Sequence, residues 1–192
     1  MIAVVDYNAG NTRSLMNRLQ DLGIKATLTK DADVIAQASK VIFPGVGAAK
    51  AAMSSLQAAD LEDCLKSYKK PFLGICLGMQ LMGEHSEEGD QSLLGLLDFE
   101  VQEFKGVPKV PHMGWNSIFN LKGPLYRGLA EKADLYFVHS YYVPLSDFSS
   151  AGCNYGIDFS AGLERDNFFG CQFHPEKSGP AGSLILKNFA AL

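Results

Sequence analysis

The chain has 192 residues, of which 47% are hydrophobic and 20% are charged, and its formal net charge is −4. This composition is typical of a globular protein with one core, and we expect a single domain over residues 1–192. No apolar stretch approaches bilayer length and no run of lysine or arginine occurs, which disfavours membrane and nucleic-acid partners. The start, MIAVVD, lacks the basic region of a signal peptide, and the four cysteines show neither a CxxC pair nor zinc-site spacing. We therefore predict a cytoplasmic protein with reduced thiols, no metal and no cofactor.

The first half of the chain alternates apolar runs with helical segments. Strands are predicted at residues 2–6, 25–29, 40–43 and 71–75, and helices at 12–22 and 48–69. Because these strands are almost continuously apolar, we expect a parallel sheet covered by helices on both faces.

The second half contains short strand-like runs with few helices between them. These runs lie at residues 99–104, 115–119, 135–143, 153–157, 160–165 and 168–173, and a helix is predicted near 181–191. We therefore predict an α/β fold with a mostly parallel central sheet flanked by helices and antiparallel additions in the second half.

The segment GICLGMQ, residues 74–80, predicts a cysteine nucleophile. The apolar strand 71–75 delivers Cys76 to a sharp turn, after which a helix begins. The free N–H groups and dipole of a helix start favour the thiolate, which is the reactive form of cysteine. We expect this turn at the carboxyl edge of the sheet, where active sites of parallel sheets lie.

An oxyanion hole is predicted beside Cys76. The N–H of Leu77 is one donor by the geometry of the turn. The loop PGVG, residues 44–47, follows a neighbouring strand, and we expect a backbone donor at Gly47. The alternative for this loop is an ordinary strand-ending turn.

The segment FHPE, residues 173–176, supplies a base and its orienting carboxylate. Pro175 disfavours helix at His174, and in extended backbone His174 and Glu176 project from the same side. Cys76, His174 and Glu176 thus form a candidate catalytic triad.

The other histidines compete less well for the role of base. His139 lies in an aromatic strand without a nearby carboxylate, so we expect a structural or substrate-lining role. His85 and His112 are predicted at the surface or in loops.

These motifs resemble the class I (triad) glutamine amidotransferases. Further segments resemble the branch formed by glutaminase subunits of imidazole glycerol phosphate synthase, and the matches run from residue 6 to 178. These segments are PGVG at 44–47, PHMGWN at 111–116, YFVHSY at 136–141 and FHPEKS at 173–178. One departure is Asn8, where this branch usually has glycine.

The resemblance implies that glutamine is hydrolysed through a Cys76 thioester and that ammonia passes to a (β/α)8-barrel cyclase subunit in a heterodimer of histidine biosynthesis. By motif position it also implies a set of residues that hold the amino-acid end of glutamine: Gln80, Glu88, Ser140 and Tyr141. For Glu88, a solvated loop is the alternative.

A second group of residues is predicted to face the partner subunit, because aromatic and methionine side chains suit interface cores. The alternative is that Trp115 and Tyr136 belong to the core. The predicted interface residues are Met113, Trp115, Tyr136 and Lys177.

Two other functions remain open from the sequence. A paralogous glutaminase could feed ammonia to a different synthase, and a non-catalytic regulatory subunit could keep this fold. The second would be expected to lack a nucleophile, histidine or carboxylate, and all three are present here.

Overall fold

The computed structural model describes residues 1–7 and 12–192. Asn8, at which the sequence departs from the glycine usual in the branch it resembles, lies outside the described residues. Helices α1 to α6 are Thr12–Asp21, Ala32–Gln37, Ala49–Ala58, Glu62–Ser67, Leu77–Gln80 and Gly179–Ala191. Strands β1 to β13 are Ile2–Val5, Ala26–Thr29, Lys40–Gly45, Phe72–Cys76, His85–Ser86, Gln91–Ser92, Glu100–Glu103, His112–Phe119, Asp134–His139, Tyr141–Tyr142, Ser149–Asn154, Asp158–Arg165 and Phe168–Cys171.

The larger sheet has nine strands in the order β2-β1-β3-β4-β13-β12-β11-β8-β9. The first five strands are parallel to their neighbours, and the remainder are joined by antiparallel pairing. This mixed sheet confirms the predicted α/β architecture with antiparallel additions in the second half.

Both faces of the parallel part of the sheet are buried. In β1, Ala3 and Val5 pack into one apolar layer, whereas Ile2 and Val4 pack into the other. Successive strand residues point to opposite faces, so only a strand covered on both sides is apolar throughout.

The structure differs from the sequence prediction in several elements. Residues 48–69 form two helices, α3 and α4, separated near Asp60, whose φ is 54°. Helix α2 was not predicted, and neither was the small four-stranded sheet β10-β7-β5-β6. The predicted strand 135–143 is interrupted at Ser140, because β9 pairs with β8 while β10 pairs with β7.

The helices of the described segments are short. None of those within residues 1–7 and 12–192 is both long enough and apolar enough to cross a membrane.

Candidate active site

Cys76 lies at a sharp turn between β4 and α5. Its backbone has φ 54° and ψ −112°, a conformation that side chains with a Cβ rarely adopt. Gly78 lies against the carbonyl oxygen of Phe43, so any side chain at Gly78 would collide with β3. The absence of a side chain there lets α5 start directly against the sheet, which confirms the predicted turn.

Three adjacent parallel strands bring the distant parts of the site together. Cys76 pairs with Gly45 at the end of β3, and Ile75 pairs with Cys171 at the end of β13. The loop containing Gly47 and the segment containing His174 therefore leave the same edge of the sheet as Cys76.

His174 and Glu176 form a buried pair, with His174 Nδ1 2.9 Å from Glu176 Oε1. Within the described part of the chain, His174 Nε2 has no partner that meets hydrogen-bond geometry. Burial lowers the pKa of His174, but the Cys76 sulfur and the Glu176 carboxylate outweigh burial and raise that pKa well above its usual range. This environment favours the protonated, imidazolium form of His174.

A cavity of about 290 Å³ opens at this edge of the sheet. It brings together the nucleophile, the histidine and all the residues predicted to form the oxyanion hole or to hold glutamine. Its lining includes Gly47, Cys76, Leu77, Gln80, Glu88, His139, Ser140, Tyr141 and His174. Gly47 has φ 95°, a backbone conformation suited to glycine.

The side chains of Glu88 and Gln80 make hydrogen bonds inside the protein. Glu88 Oε2 accepts from the backbone N–H of Ala49, at 2.7 Å, at the start of α3. The Gln80 amide nitrogen donates to the carbonyl of Tyr141 at 2.9 Å and to Gln172 Oε1 at 2.8 Å. Glu88 is therefore held in place rather than lying in a solvated loop.

The four predicted interface residues lie on one exposed part of the molecule. Met113 and Trp115 on β8 are 62% and 58% exposed. Tyr136, which pairs with Trp115 across β8 and β9, is half-buried, and the Lys177 ammonium lies 5.8 Å from the centre of its ring. Trp115 is thus not a core residue.

The whole chain is similar to known proteins. The family model for glutamine amidotransferase class-I matches residues 3–192. This chain belongs to that family. Over 100% of this chain and 99% of the relative, it is 50% identical to imidazole glycerol phosphate synthase subunit HisH of Bacteroides fragilis. It is 43% identical to the HisH subunit of Escherichia coli K12, over 98% of this chain and 97% of that one.

Solved structures share the fold of this class I amidotransferase. A crystal structure of a glutamine amidotransferase superposes with a TM-score of 0.77 over 100% of both chains, at 16% identity. A chain of PurLQS from Thermotoga maritima gives a TM-score of 0.70, at 18% identity, over 99% of this chain and 97% of that chain.

The prediction that His112 lies at the surface or in a loop is wrong. His112 is buried on β8, where its ring stacks on Phe137 and Tyr155. Its Nδ1 lies 3.0 Å from His139 Nε2. The motif around His112 has no regular alternation of apolar residues, so its burial depends on strands and loops that are distant in sequence.

Sequence reasoning also missed Gln172, whose side-chain nitrogen lies 3.7 Å from the Cys76 sulfur. Its position immediately before the FHPE segment was the available signal. Among the described residues, no group of histidine, cysteine and acidic side chains could hold a metal ion.

Proposed function

We propose that this chain is the glutaminase subunit of an imidazole glycerol phosphate synthase. It hydrolyses glutamine to glutamate and ammonia and delivers the ammonia to a cyclase subunit in histidine biosynthesis. The observation that carries the proposal is identity of 43–50% over essentially the whole length of curated HisH subunits. The buried His174–Glu176 pair beside Cys76 supports the chemistry.

The first half of the reaction forms a thioester. The Cys76 thiolate attacks the side-chain amide carbon of glutamine, and the resulting oxyanion forms near the Leu77 N–H and the Gly47 loop. His174, protonated at Nε2 and held by Glu176, gives its proton to the amide nitrogen. The oxyanion then re-forms the carbonyl, the carbon–nitrogen bond breaks and ammonia leaves.

The second half releases glutamate. His174, now neutral, takes a proton from water as that water attacks the thioester carbon. The carbon–sulfur bond breaks, the Cys76 thiolate is restored and glutamate leaves.

In this proposal, the amino-acid end of glutamine binds in the part of the cavity opposite Cys76. Glu88 faces the α-ammonium group, and Ser140 and Tyr141 face the α-carboxylate. Gln80 contributes through its carbonyl oxygen, because its amide nitrogen already donates to two groups inside the protein.

The proposed partner is a (β/α)8-barrel cyclase, which docks on the face formed by Met113, Trp115, Tyr136 and Lys177. The exposure of two large apolar side chains on this face supports the assignment.

We also propose that residues 1–192 form a single domain. The proposed location is the cytoplasm, because the four cysteines are free thiols.

Replacing the nucleophile tests the glutaminase. Cys76→Ala is expected to abolish glutamate release and glutamine-dependent synthesis by the complex, while synthesis from added ammonia by the partner continues. Cys64→Ala is the matched control, since Cys64 is half-buried on α4 and hydrogen-bonds to the backbone of α2. Equal loss of both syntheses in Cys76→Ala would indicate a structural cysteine.

The alternatives are separated by co-purification. A paralogue serving another synthase would release glutamate but would not bind the cyclase or respond to its nucleotide ligand. A regulatory subunit would release no glutamate even in the complex.

A further inference from the structure

Gln172 presents an N–H group to the nucleophile. Its side chain is fully buried, and its Nε2 atom lies 3.7 Å from the Cys76 sulfur. The sulfur also lies 3.8 Å from the carbonyl oxygen of Val138, to which a thiol S–H can donate. A neighbouring N–H donor stabilises the thiolate, whereas a carbonyl oxygen stabilises only the thiol.

An amide side chain can present either its nitrogen or its oxygen, and Gln80 decides which. The Gln80 nitrogen donates to Gln172 Oε1 at 2.8 Å and to the carbonyl of Tyr141 at 2.9 Å. Both hydrogens of that nitrogen are therefore used. The oxygen of Gln172 must face Gln80, so its nitrogen faces the sulfur.

The Tyr141 carbonyl is itself held from the other side by His139. His139 Nδ1 lies 2.7 Å from that oxygen, and because a carbonyl only accepts, His139 carries its proton on Nδ1. In the neutral ring Nε2 is then an acceptor, and it lies 3.0 Å from His112 Nδ1. His112 therefore also carries its proton on Nδ1.

These contacts form a hydrogen-bonded series that runs from Cys76 to His112, and Asn116 fixes its far end. Its Nδ2 donates to the Asn154 carbonyl at 2.9 Å and lies 3.3 Å from His112 Nε2. Its Oδ1 accepts from the Ser117 N–H at 2.8 Å. Backbone groups thus set the direction of this amide, and a single assignment of hydrogens satisfies every bond from Asn116 to Cys76.

The two histidines keep this assignment only while they are neutral. Burial lowers the pKa of His112 to about 4. Burial lowers the pKa of His139 to about 3, with a smaller opposing effect of its bond to the Tyr141 carbonyl. Both rings are therefore uncharged near neutral pH.

We infer that Gln172 is a further catalytic residue, which donates an N–H to the Cys76 thiolate, and that this hydrogen-bonded series fixes its amide in the required direction. Gln80, His139 and His112 are positioning residues that act through Gln172. The inference rests on the proposed function, which makes Cys76 the nucleophile.

Other ionisable groups near Cys76 are unchanged in the variants that test the inference. They are Tyr7, whose hydroxyl donates to the Pro44 carbonyl, together with Glu88, Cys171, His174 and Glu176. Differences between proteins therefore report on the donor itself.

The test is the pH dependence of Cys76 alkylation by iodoacetamide in the full chain, with the labelled cysteine located by peptide mass spectrometry. Gln172→Leu is expected to raise the midpoint by about one pH unit and to slow alkylation at pH 7 about tenfold. Gln172→Glu keeps the acceptor for Gln80 but places a carboxylate at the sulfur, so a larger shift is expected. Gln102→Leu, which loses a hydrogen bond to Tyr142 elsewhere, is the matched control and should keep the wild-type midpoint.

A double-variant comparison tests the series. His139→Phe should shift the midpoint in the same direction, and the pair Gln172→Leu with His139→Phe should shift it no further than Gln172→Leu alone. Additive shifts would show that His139 acts independently, and an unchanged midpoint in Gln172→Leu would overturn the assignment of the donor. A residue that only supports packing would change the yield of folded protein without moving the midpoint.

The wild-type chain provides a test that does not depend on the folding of variants. Nitrogen-15 NMR of the four histidines should show His112 and His139 neutral, with the proton on Nδ1, at pH 7. A proton on Nε2 of His139 would reverse the series and overturn the inference. Activity remaining in Cys76→Ala would instead refute the proposed function, so the two failures are distinguishable.

Discussion

His112 and His139 are two histidines held uncharged among aromatic rings. Phe104, Phe137 and Phe159 lie against the His139 ring, and no carboxylate is bonded to either histidine among the described residues. Protonation of either ring would place a charge in an apolar layer and would break the bond between Nδ1 of one ring and Nε2 of the other. Because both rings must stay neutral in the folded state, acid is expected to destabilise the fold.

The free energy of unfolding is expected to fall as the pH drops from about 6.5 towards 4. In this range the unfolded histidines bind protons and the folded ones do not, at about 1 kcal/mol per pH unit for each ring. The raised pKa of His174 acts only above about pH 6.5, where its contribution is lost as the pH rises, so it does not affect this window. Urea unfolding at pH 5 and pH 7 measures the slope.

The double variant His112→Phe with His139→Phe should lose stability more gradually with acid than the wild type. Its neighbours keep partners, because Tyr141 still accepts from Gln80 and Asn116 still donates to Asn154. An equal slope in both proteins would contradict this account.

At the scale of the element, helix α3 begins without a capping side chain of its own. Ala48 occupies the N-cap position, and Glu88 from a distant loop accepts the N–H of Ala49 instead. A carboxylate at a helix start satisfies a free donor and interacts favourably with the dipole. One side chain thus stabilises α3 and lines the cavity.

Two variants at Glu88 separate these roles. Glu88→Gln keeps an acceptor for Ala49 but loses the charge, so stability should change little while KM for glutamine rises about tenfold or more. Glu88→Ala should show the same defect in KM and also lose about 1 kcal/mol of stability. Glutamate release and urea unfolding measure the two effects, and an unchanged KM in Glu88→Gln would remove Glu88 from the substrate site.

The local parts of the site were predictable from the sequence, whereas its non-local contacts were not. The Cys76 turn and the His174–Glu176 pair are formed by neighbouring residues, and glycine and proline constrain both. Strands β5 and β6 have two residues each, too few to produce a periodic pattern. Helix α2 was missed although Asp31 caps it, because it has only six residues. Contacts such as Gln172 with Cys76 depend on how distant strands pair.

At the scale of the whole molecule, the exposed face at β8 and β9 lies at one edge of the large sheet, and β2 lies at the other. Trp115→Ala is expected to weaken binding of the cyclase about 30-fold, since a large aromatic side chain at an interface core contributes about 2 kcal/mol. Leu28→Ala on β2 is the control, because Leu28 is 39% exposed at the opposite edge. Calorimetric titration with the purified partner measures both, and equal affinities would exclude this face.

Strand β9 connects that face to the cavity through alternate residues. Tyr136 and Val138 lie on the side of the strand that is half-exposed, whereas Leu135, Phe137 and His139 are buried on the other side. Insertion or deletion of one residue in β9 would exchange these two sets. Phe137 would then lie on the half-exposed side, and His139 would leave His112. The length of this strand is therefore constrained by both of its faces. Length changes in the family should occur in the loop before β9, because only Ser140 separates β9 from β10.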